Sequence, residues 1–425
     1  MVMYTLNFNI RIAFFLIVGT LLIACSTNKE EEDQLAEPPF TGETLHVGSE
    51  YEYKSLSDAI KVVEAGNMIL LHEGVYEETG IKYLNDLAGT SDGYIIIRAD
   101  KEGTVILRGG GLKLSTAAYI KFQNLTFEQH QLIIDDRYVF EKPAHHITFE
   151  NCTFRSNNQG WGKSFLTMMG VDDFEIKNCQ FLGDADCGGL SLQGCHRGSI
   201  KGCYIEKVKG NAIAVSGGSQ QVLIEANMIK DCTDRSLVIG GQTAAQYLRP
   251  QNSTFEASDI KAHSNVIVGS RCPITYMVAE KADVVNNTII NPGQYVIAIT
   301  QNSIQNETYI KCGNSSFVNN IVYRANGLTL DCLVGPGTDN QSFTFSNNLW
   351  YNYEKKNWNG PKGIPVLEPD IIIGKDPLFT DVENSDFSLL PNSPAIAKGA
   401  KVSSPEYDFN NNRFSPDRSI GAYEK

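Results

Sequence analysis

The sequence predicts an all-β fold built as a solenoid, and three observations predict it. A short phrase of alternating apolar and polar residues recurs along the chain, as in ITFENCTF at 147–154 and FTFSNNLW at 343–350. An Asn or another small residue interrupts each phrase at the same place, and the interruptions mostly recur at intervals in the mid-twenties. Repetition at such a period is typical of solenoids, whose repeats bury a shared core by stacking.

Each phrase predicts two short strands joined by a tight bend. Alternation with period two gives a strand with one buried face, and Asn or Gly tolerates the left-handed backbone of a bend. The residues predicted at the bend are Asn124, Asn151, Asn178, Gly202, Ala226, Ser264, Asn286, Asn319 and Asn347. With coils about 4.8 Å apart, the prediction is a single-stranded, right-handed parallel β-helix. The Asn side chains at the bend are expected to form a hydrogen-bonded ladder.

A third strand is predicted between successive phrases, in segments such as SFLTMMG (164–170) and SLVIGGQ (236–242). Apolar inward positions alternate there with outward positions, which run from Thr167 and Met169 to Ala298 and Thr300. None of the twelve outward positions read in six such strands carries a charge. We therefore expect the outer face of this third sheet to be a polar, uncharged strip.

Both ends of the solenoid are predicted to be covered, because an end strand exposes an unpaired edge. The segment 55–66 predicts a short N-terminal capping helix, with Ser57 as its N-cap and Gly66 as its stop. The predicted organisation is a β-helix over 43–350 and a closing segment over 351–425 that packs on it.

The cap helix and the ILLHEGVYEE strand that follows it resemble the N-terminal cap of bacterial β-helix proteins, including alginate- and chondroitin-type polysaccharide lyases. Segments near the C-terminus, such as DFSLLPNSPAIAKGA (386–400), resemble the closing part of those proteins. The resemblance covers roughly 43–425 and concerns the fold. The resemblance implies a polysaccharide partner. No cofactor or metal site is evident in the sequence, so a Ca²⁺ cofactor is implied only by this analogy.

The N-terminus predicts a bacterial lipoprotein. The apolar run 12–24 is too short to span a membrane and suits a signal peptide, predicted over 1–24. The string LIAC at 22–25 resembles a lipobox, which implies that Cys25 carries a lipid; the alternative is an ordinary signal peptide followed by a chance Cys. Residues 25–42 are predicted to be a disordered tether. The expected location is the bacterial outer membrane, at the cell surface or the periplasmic face.

Charge and cysteine content argue against two classes of function, nucleic-acid binding and zinc binding. The formal net charge of −13 argues against nucleic-acid binding, which needs clustered Lys and Arg. No Cys has zinc-site spacing, and Cys152, Cys179 and Cys203 share one position of the repeat. These three are predicted to be a stacked column of small core residues. The protein is expected to be a monomer.

The longest interval between bends, from Ala226 to Ser264, contains a polar loop at 240–258. Long insertions in a solenoid concentrate on its binding face. Arg235, Arg249 and Arg271 are expected to converge there and to bind acidic groups, as arginine forks do. The alternative is that these arginines pair with Asp231, Asp234 and Glu256 and hold the loop in place.

Two functions follow from the sequence. The first is a lyase-like enzyme on an acidic or sulfated glycan, which needs a basic residue and a cation beside a uronate carboxylate. The predicted catalytic residues are Arg235, Arg271 and Lys209. The predicted substrate-binding residues are Arg249, Tyr247, Glu256, Ser216, Gln193 and Trp161. A glycoside hydrolase is less favoured, because no convincing carboxylate pair is in register. The second function is a non-catalytic glycan-binding or scaffolding lipoprotein.

Overall fold

The chain winds through successive coils, and each coil adds one strand to each of three parallel sheets. A computed structural model describes residues 40, 42–136, 142–155, 164–183, 187–301 and 308–425. Residues 41–425 form one compact unit. The strands are numbered β1 to β36 in chain order.

Sheet 1 contains β1 (Thr44–Val47), β2 (Met68–Leu71), β5 (Ile95–Ala99), β8 (Ala118–Gln123), β11 (Ala144–Glu150), β14 (Val171–Lys177), β17 (His196–Lys201), β20 (Ser219–Glu225), β23 (Ala257–His263), β26 (Ala279–Val285), β29 (Ser316–Val318) and β32 (Thr344–Ser346). Sheet 2 contains β3 (Gly74–Glu77), β6 (Val105–Arg108), β9 (Thr126–Glu128), β12 (Thr153–Arg155), β15 (Gln180–Leu182), β18 (Tyr204–Glu206), β21 (Met228–Lys230), β24 (Val266–Val268), β27 (Thr288–Ile290), β30 (Ile321–Arg324), β33 (Leu349–Asn352) and β34 (Ile372–Ile373).

Sheet 3 contains β4 (Ile81–Asn85), β7 (Gly111–Ser115), β10 (Gln131–Asp135), β13 (Ser164–Met169), β16 (Gly188–Gln193), β19 (Ile213–Ser216), β22 (Arg235–Gly240), β25 (Cys272–Met277), β28 (Ile297–Thr300) and β31 (Cys332–Val334). An antiparallel hairpin, β35 (Phe379–Asp381) and β36 (Asp386–Leu389), follows the stack. Short 3-10 helices span Ala245–Tyr247 and Asn340–Ser342. The predicted third strands are thus confirmed, and their apolar inward side chains, such as Leu166 and Ile239, are fully buried.

The predicted bend between sheets 1 and 2 is confirmed by its backbone. All nine predicted bend residues have positive φ angles between 52° and 64°. Each backbone N–H in this row donates to the carbonyl oxygen of the residue that precedes the bend of the next coil. Asn124 N, for example, donates to Glu150 O at 3.0 Å. The bend residues therefore form a row along the solenoid, and this row keeps the coils in register.

The asparagine ladder lies one residue further along than predicted. Fully buried Asn227, Asn265, Asn287, Asn320 and Asn348 donate Nδ2 to the Oδ1 of the next Asn at 3.0 Å in the first four steps, and the last donates to Glu368. At the predicted bend row, contacts such as Asn151 Nδ2 to Asn124 Oδ1 are longer, at 3.4 Å. The bend side chain points outward, whereas its successor points into the core, where an unpaired amide is costly.

The same inward column begins with the predicted cysteine stack. Cys152, Cys179 and Cys203 are fully or almost fully buried, and Cys203 N donates to Asn227 Oδ1 at 2.9 Å where the ladder starts. Stacked phenylalanines fill neighbouring columns, as Phe154 and Phe181 do with ring centroids 4.7 Å apart. The prediction that these cysteines are small core residues is confirmed.

The capping helix α1 (Leu56–Ile60) is shorter than predicted and begins earlier. Ser55, not Ser57, is its N-cap, and the Ser55 side chain accepts a hydrogen bond from Asp58 N at 3.2 Å. Leu56, Ala59 and Ile60 are buried against the first coil. No helix in the described ranges combines the length and apolar character needed to cross a membrane.

The C-terminal residues pack on the outer face of sheet 2 in its last coils. Phe379, Phe387 and Ile420 share an apolar cluster with Ile290 and Ile321 of that sheet. Hydrogen bonds fix the contact, since Asn286 Nδ2 donates to the carbonyl oxygens of Ser419 and Gly421 at 2.9 Å. This part of sheet 2 is therefore covered.

Candidate functional site

The outer face of sheet 3 carries accessible residues of mixed polar and aromatic character in its early and middle coils. Sheet 1 carries paired charges on its outer face, such as Lys177 with Glu150 at 3.2 Å and Lys201 with Glu225 at 3.1 Å. Sheet 2 is covered in its last coils by the C-terminal segment. In sheet 3, the outward residues of β13, β16 and β19 are half-buried and accessible, whereas those of later strands, such as Thr275, are buried.

One outward row of sheet 3 runs along the solenoid axis in strict register. Tyr83 of β4 lies opposite Lys113 of β7, and the row continues through Ile133, Thr167 and Ser191. The Tyr83 side chain is 67% exposed. Four strand spacings of about 4.8 Å separate Tyr83 from Ser191, which gives a strip roughly 19 Å long. We call this row and the outward residues beside it the sheet-3 face.

Lys113 and Asp135 form an ion pair on this face. The Lys113 Nζ lies 2.6 Å from Asp135 Oδ2, and the Asp135 carboxylate is almost fully buried. The ammonium is thereby held in place over the strip, with about a quarter of its side chain exposed. An ammonium has three N–H donors, so a ligand carboxylate can approach Lys113 from the solvent side.

The sequence-based search missed Tyr83, Lys113 and Asp135. It began the third strand at residue 164, although GLKLS (111–115) and QLIID (131–135) show the same alternation. Lys113 and Asp135 lie in those two earlier strands. The same alternation, looked for just before and just after the first bend at Asn124, identifies both segments.

Three predicted substrate-binding residues lie together at one edge of the sheet-3 face. Gln193 and Ser216 are opposite each other in adjacent strands. Gln193 Nε2 donates to the carbonyl oxygen of Tyr247 at 3.3 Å, and the Tyr247 side chain is 42% exposed. The 241–256 loop thus places the backbone of Tyr247 beside the amide of Gln193, with the Tyr247 side chain partly exposed.

The predicted catalytic residues lie on the opposite edge of the sheet, in successive coils. Lys209 precedes β19, Arg235 begins β22, and Arg271 precedes β25. Arg271 Nε lies 2.8 Å from Asp234 Oδ1, and Arg235 Nη1 is 3.8 Å from Asp234 Oδ2. Arg271 also lines a surface cleft of about 520 Å³ at this edge.

The expected convergence of the three arginines is wrong, because Arg249 lies at the other end of the sheet-3 strands. Its guanidinium forms a bidentate ion pair with Asp172 of β14, and its side chain is only 9% exposed. Burial alone raises the pKa of the Asp172 carboxyl, but the Arg249 hydrogen bonds and charge outweigh it and lower that pKa. Arg249 therefore anchors the loop and is not placed to bind substrate.

Glu256 is likewise not placed to bind substrate. It is fully buried and accepts hydrogen bonds from Gly217 N at 2.9 Å and from both Thr243 N and Thr243 Oγ1 at 2.7 Å. Tyr309 also donates its hydroxyl to Glu256 at 3.1 Å. These four donors satisfy the carboxylate internally. Their arrangement holds the base of the loop, as the alternative interpretation of the sequence anticipated, but with different partners.

Two predicted residues lie outside the described part of the chain: Trp161 and Cys25. Within the described residues, no group of three or more His, Cys, Asp or Glu side chains is arranged to hold a metal ion.

Comparison with known proteins supports the architecture. Residues 110–289 match the family model for the right handed beta helix region. The fold is a right-handed parallel β-helix. This result confirms the fold class predicted from the repeat. No curated protein sequence matches the chain.

Several solved structures share this β-helix at low sequence identity. Pectate lyase Pel9A has a TM-score of 0.60 at 14% identity, covering 91% of this chain and 98% of that chain. A rhamnogalacturonan lyase has a TM-score of 0.53 at 12% identity, with coverages of 81% and 92%. The GH136 lacto-N-biosidase from Eubacterium ramulus has a TM-score of 0.54 at 12% identity, with coverages of 81% and 69%. The resemblance to polysaccharide lyases is therefore a resemblance of fold.

Proposed function

We propose that the protein binds an acidic polysaccharide along the sheet-3 face and that Lys113 pairs there with a uronate carboxylate. The observation that carries this proposal is the Lys113 ammonium held over the strip by buried Asp135. A cation fixed in position loses little freedom when a ligand binds, which favours affinity. The strip runs along the solenoid axis and crosses successive strands of sheet 3. An extended polymer therefore fits it better than a compact ligand.

The surroundings of Lys113 support a sugar ligand. Exposed Tyr83 lies next to Lys113, and exposed Tyr247 lies beside Gln193 at the other end of the face. Aromatic rings offer flat apolar surfaces for sugar rings, while Thr167 and Ser191 between them offer hydroxyl groups. The solved lyases and the lacto-N-biosidase with this fold, by the names they carry, act on carbohydrates.

A β-elimination reaction is the second candidate function. Neutralisation of the uronate carboxylate acidifies the neighbouring C–H, so a base within reach can remove the proton. Lys209, Arg235 and Arg271 lie in successive coils along one edge of sheet 3, so one of these cations would neutralise a uronate carboxylate at that edge and a neighbouring one would act as the base. The uronate that reacts would be a different one from the uronate paired with Lys113, because β7 and β19 are four strand spacings of about 4.8 Å apart.

The binding experiment compares polygalacturonate and alginate with an uncharged galactan by calorimetry. Replacement of Lys113 by Gln is expected to weaken binding of the acidic polymers about tenfold, because one charge-assisted pair is lost. Lys261→Gln is the matched control, since Lys261 is an exposed lysine on the outer face of sheet 1. Equal loss in both variants, or unchanged binding in Lys113→Gln, would contradict the proposal.

The catalytic candidate is tested by the ultraviolet absorbance of the unsaturated product after incubation with the same polymers. If product forms, Arg235→Ala and Arg271→Ala are each expected to abolish it while circular dichroism shows an intact fold. Full activity in both variants would show that the base lies elsewhere. Binding without product across the panel would identify a non-catalytic glycan-binding protein.

We also propose that a lipid on Cys25 anchors the protein in the bacterial outer membrane. The lipobox-like LIAC string and the polar stretch after it support this placement. Metabolic labelling with a radioactive fatty acid is expected to mark the wild type and not Cys25→Ser. Labelling of the Cys25→Ser variant would contradict the anchor.

A further inference from the structure

A second cleft lies at the C-terminal end of the solenoid, far from Lys113. It has a volume of about 370 Å³ and is bounded by the segments that follow β30 and β33. Eight strand spacings separate β7, which carries Lys113, from β31 beside this cleft. At about 4.8 Å per spacing, the two places are roughly 38 Å apart.

The floor of the cleft is a buried ion pair. Arg324 Nη1 donates to Asp331 Oδ1 at 2.5 Å, and the two side chains are 5% and 1% exposed. Arg324 also donates Nε to Ala325 O at 3.1 Å and lies over the Trp358 ring, 5.1 Å from its centroid. In the part of the chain that the structure describes, Arg324 Nη2 has no protein acceptor. A buried guanidinium edge with unused donors suits an oxyanion.

The walls of the cleft are tied to the same ion pair and to each other. Asp331 Oδ2 accepts a hydrogen bond from Lys362 N at 2.9 Å, and Asp331 N donates to Lys362 O at 2.9 Å. Gly363 follows with a φ of +88°, and a Cβ there would lie 2.2 Å from Cys332 O. Across the cleft, Asn352 Nδ2 donates to Asn326 Oδ1 at 3.1 Å. The site is therefore built before any ligand arrives.

The charge of the lining is positive in a chain whose net charge is −13. Lys355 and Lys362 line the cleft and are exposed to solvent, while the charges of Arg324 and Asp331 offset each other. Trp358 adds an aromatic surface beside these cations. The combination suits a ligand with one carboxylate and one sugar ring, because the cations bind the first and the indole contacts the second.

We propose that this cleft is a second saccharide site, which binds a single uronate unit such as the end of an acidic chain. The proposal does not depend on the sheet-3 face, since none of its residues belongs to that face. A volume of about 370 Å³ lies at the lower end of the range for small-ligand sites, which fits one sugar better than an internal stretch of polymer.

The test uses the full-length protein and tryptophan fluorescence, because Trp358 lines the cleft. Galacturonic acid is the probe, and galactose and acetate are its two controls. We expect a saturable fluorescence change with galacturonic acid at least tenfold tighter than with either control, and calorimetry is expected to give the same order of affinities. Trp358→Phe is expected to remove the fluorescence change. Equal binding of galactose would overturn the carboxylate contact, and equal binding of acetate would overturn the sugar contact.

Variants then locate the site. The double variant Lys355→Gln, Lys362→Gln is expected to weaken galacturonic acid binding by tenfold or more, whereas Lys401→Gln, an exposed lysine elsewhere, leaves it unchanged. Lys113→Gln is also expected to leave it unchanged, which separates this site from polymer binding at the sheet-3 face. Wild-type affinity in the double variant would overturn the proposal.

Discussion

Arg249 Nη1 lies 2.6 Å from Asp172 Oδ1, and Arg249 Nη2 lies 2.9 Å from Asp172 Oδ2. Asp172 is in β14, whereas Arg249 belongs to the loop after β22, so the pair joins segments 77 residues apart. Strands β17 and β20 lie between β14 and the strand that follows the loop. The pair therefore folds the loop back along the solenoid and places Tyr247 beside Gln193.

Replacement of Arg249 by Ala is expected to lower the free energy of unfolding by about 3–5 kcal/mol, because the Asp172 carboxylate stays buried after its main partner is removed. Arg413→Ala is the control: Arg413 and Glu406 form an ion pair that is mostly exposed, and such pairs contribute about 0–1 kcal/mol. Urea unfolding measures both. Equal small losses in the two variants would contradict the anchoring role of Arg249.

Replacement of Glu256 by Ala is expected to loosen the 241–256 loop without unfolding the solenoid. The Gly217 and Thr243 donors lose their buried acceptor, at a cost of about 1–3 kcal/mol for each unsatisfied group. Limited proteolysis is expected to cut the variant within the loop, while the wild type stays intact. Glu280→Ala, a glutamate on the outer face of sheet 1, serves as the control. Equal resistance of both variants would show that Glu256 does not hold the loop.

The asparagine ladder is expected to be sensitive at its centre. Asn287 Nδ2 donates to Ala262 O at 2.9 Å and to Asn320 Oδ1 at 3.0 Å, while its Oδ1 accepts from Asn265. Asn287→Ala removes these bonds and leaves buried partners unsatisfied, so a loss of about 2–4 kcal/mol in unfolding free energy is expected. The exposed Asn357→Ala is expected to change stability by less than about 0.5 kcal/mol. Chemical denaturation distinguishes the two; similar midpoints would contradict the ladder's role.

Glu368 at the end of the ladder is expected to make stability depend on pH. Burial raises the pKa of Glu368 from 4.5 to about 7, although hydrogen bonds from Asn348 and Trp350 oppose the shift. The unfolded chain then releases this proton at lower pH than the folded chain. Stability therefore falls as pH rises from about 4.5 to 7, by roughly 3 kcal/mol in all, and is constant with respect to this group above that range.

Urea midpoints at pH 5 and pH 8 measure this effect. The wild type is expected to lose more stability between the two than Glu368→Gln, whose side chain stays neutral throughout. Glu383→Gln, at an exposed position, is expected to follow the wild type. Parallel pH dependence in the wild type and Glu368→Gln would show that Glu368 titrates normally.

The cysteines of the solenoid are expected to resist alkylation in the folded protein. The nine in the described residues are buried and form no disulfide, and burial raises the pKa of Cys195 and Cys232 to about 12. Thiolates are the reactive form, so iodoacetamide is expected to modify these positions only after denaturation. Mass spectrometry of peptides locates the adducts. Rapid native modification at Cys152 or Cys179 would contradict the closed core.

The repeat was predictable because its cause is local. Asn151 and Asn178 mark bends since their side chains tolerate a left-handed backbone, and both have positive φ. Alternation likewise identified Leu166 and Ile239 as core residues. The exact ladder column was missed because the outward bend side chain and the inward amide belong to consecutive residues, and composition alone does not distinguish the two positions.

The candidate site was only partly predictable, for a different reason. Gln193, Ser216 and Tyr247 were chosen from the sequence and lie together. The partners of Arg249 and Glu256 were not predictable, because loop contacts join residues far apart in sequence without any repeating pattern. The pairing of Lys113 with Asp135 needed the register between β7 and β10.

The sequence by itself determined the coil: the length of each turn, the residues at the bends and the side chains that face the core all follow from short-range alternation and backbone preference. The tertiary structure alone decided which outer faces stay open. Long-range ion pairs and buried hydrogen bonds direct the 241–256 loop and the C-terminal segment, and the free energy of these contacts depends on which charged and polar groups meet after the coils have stacked.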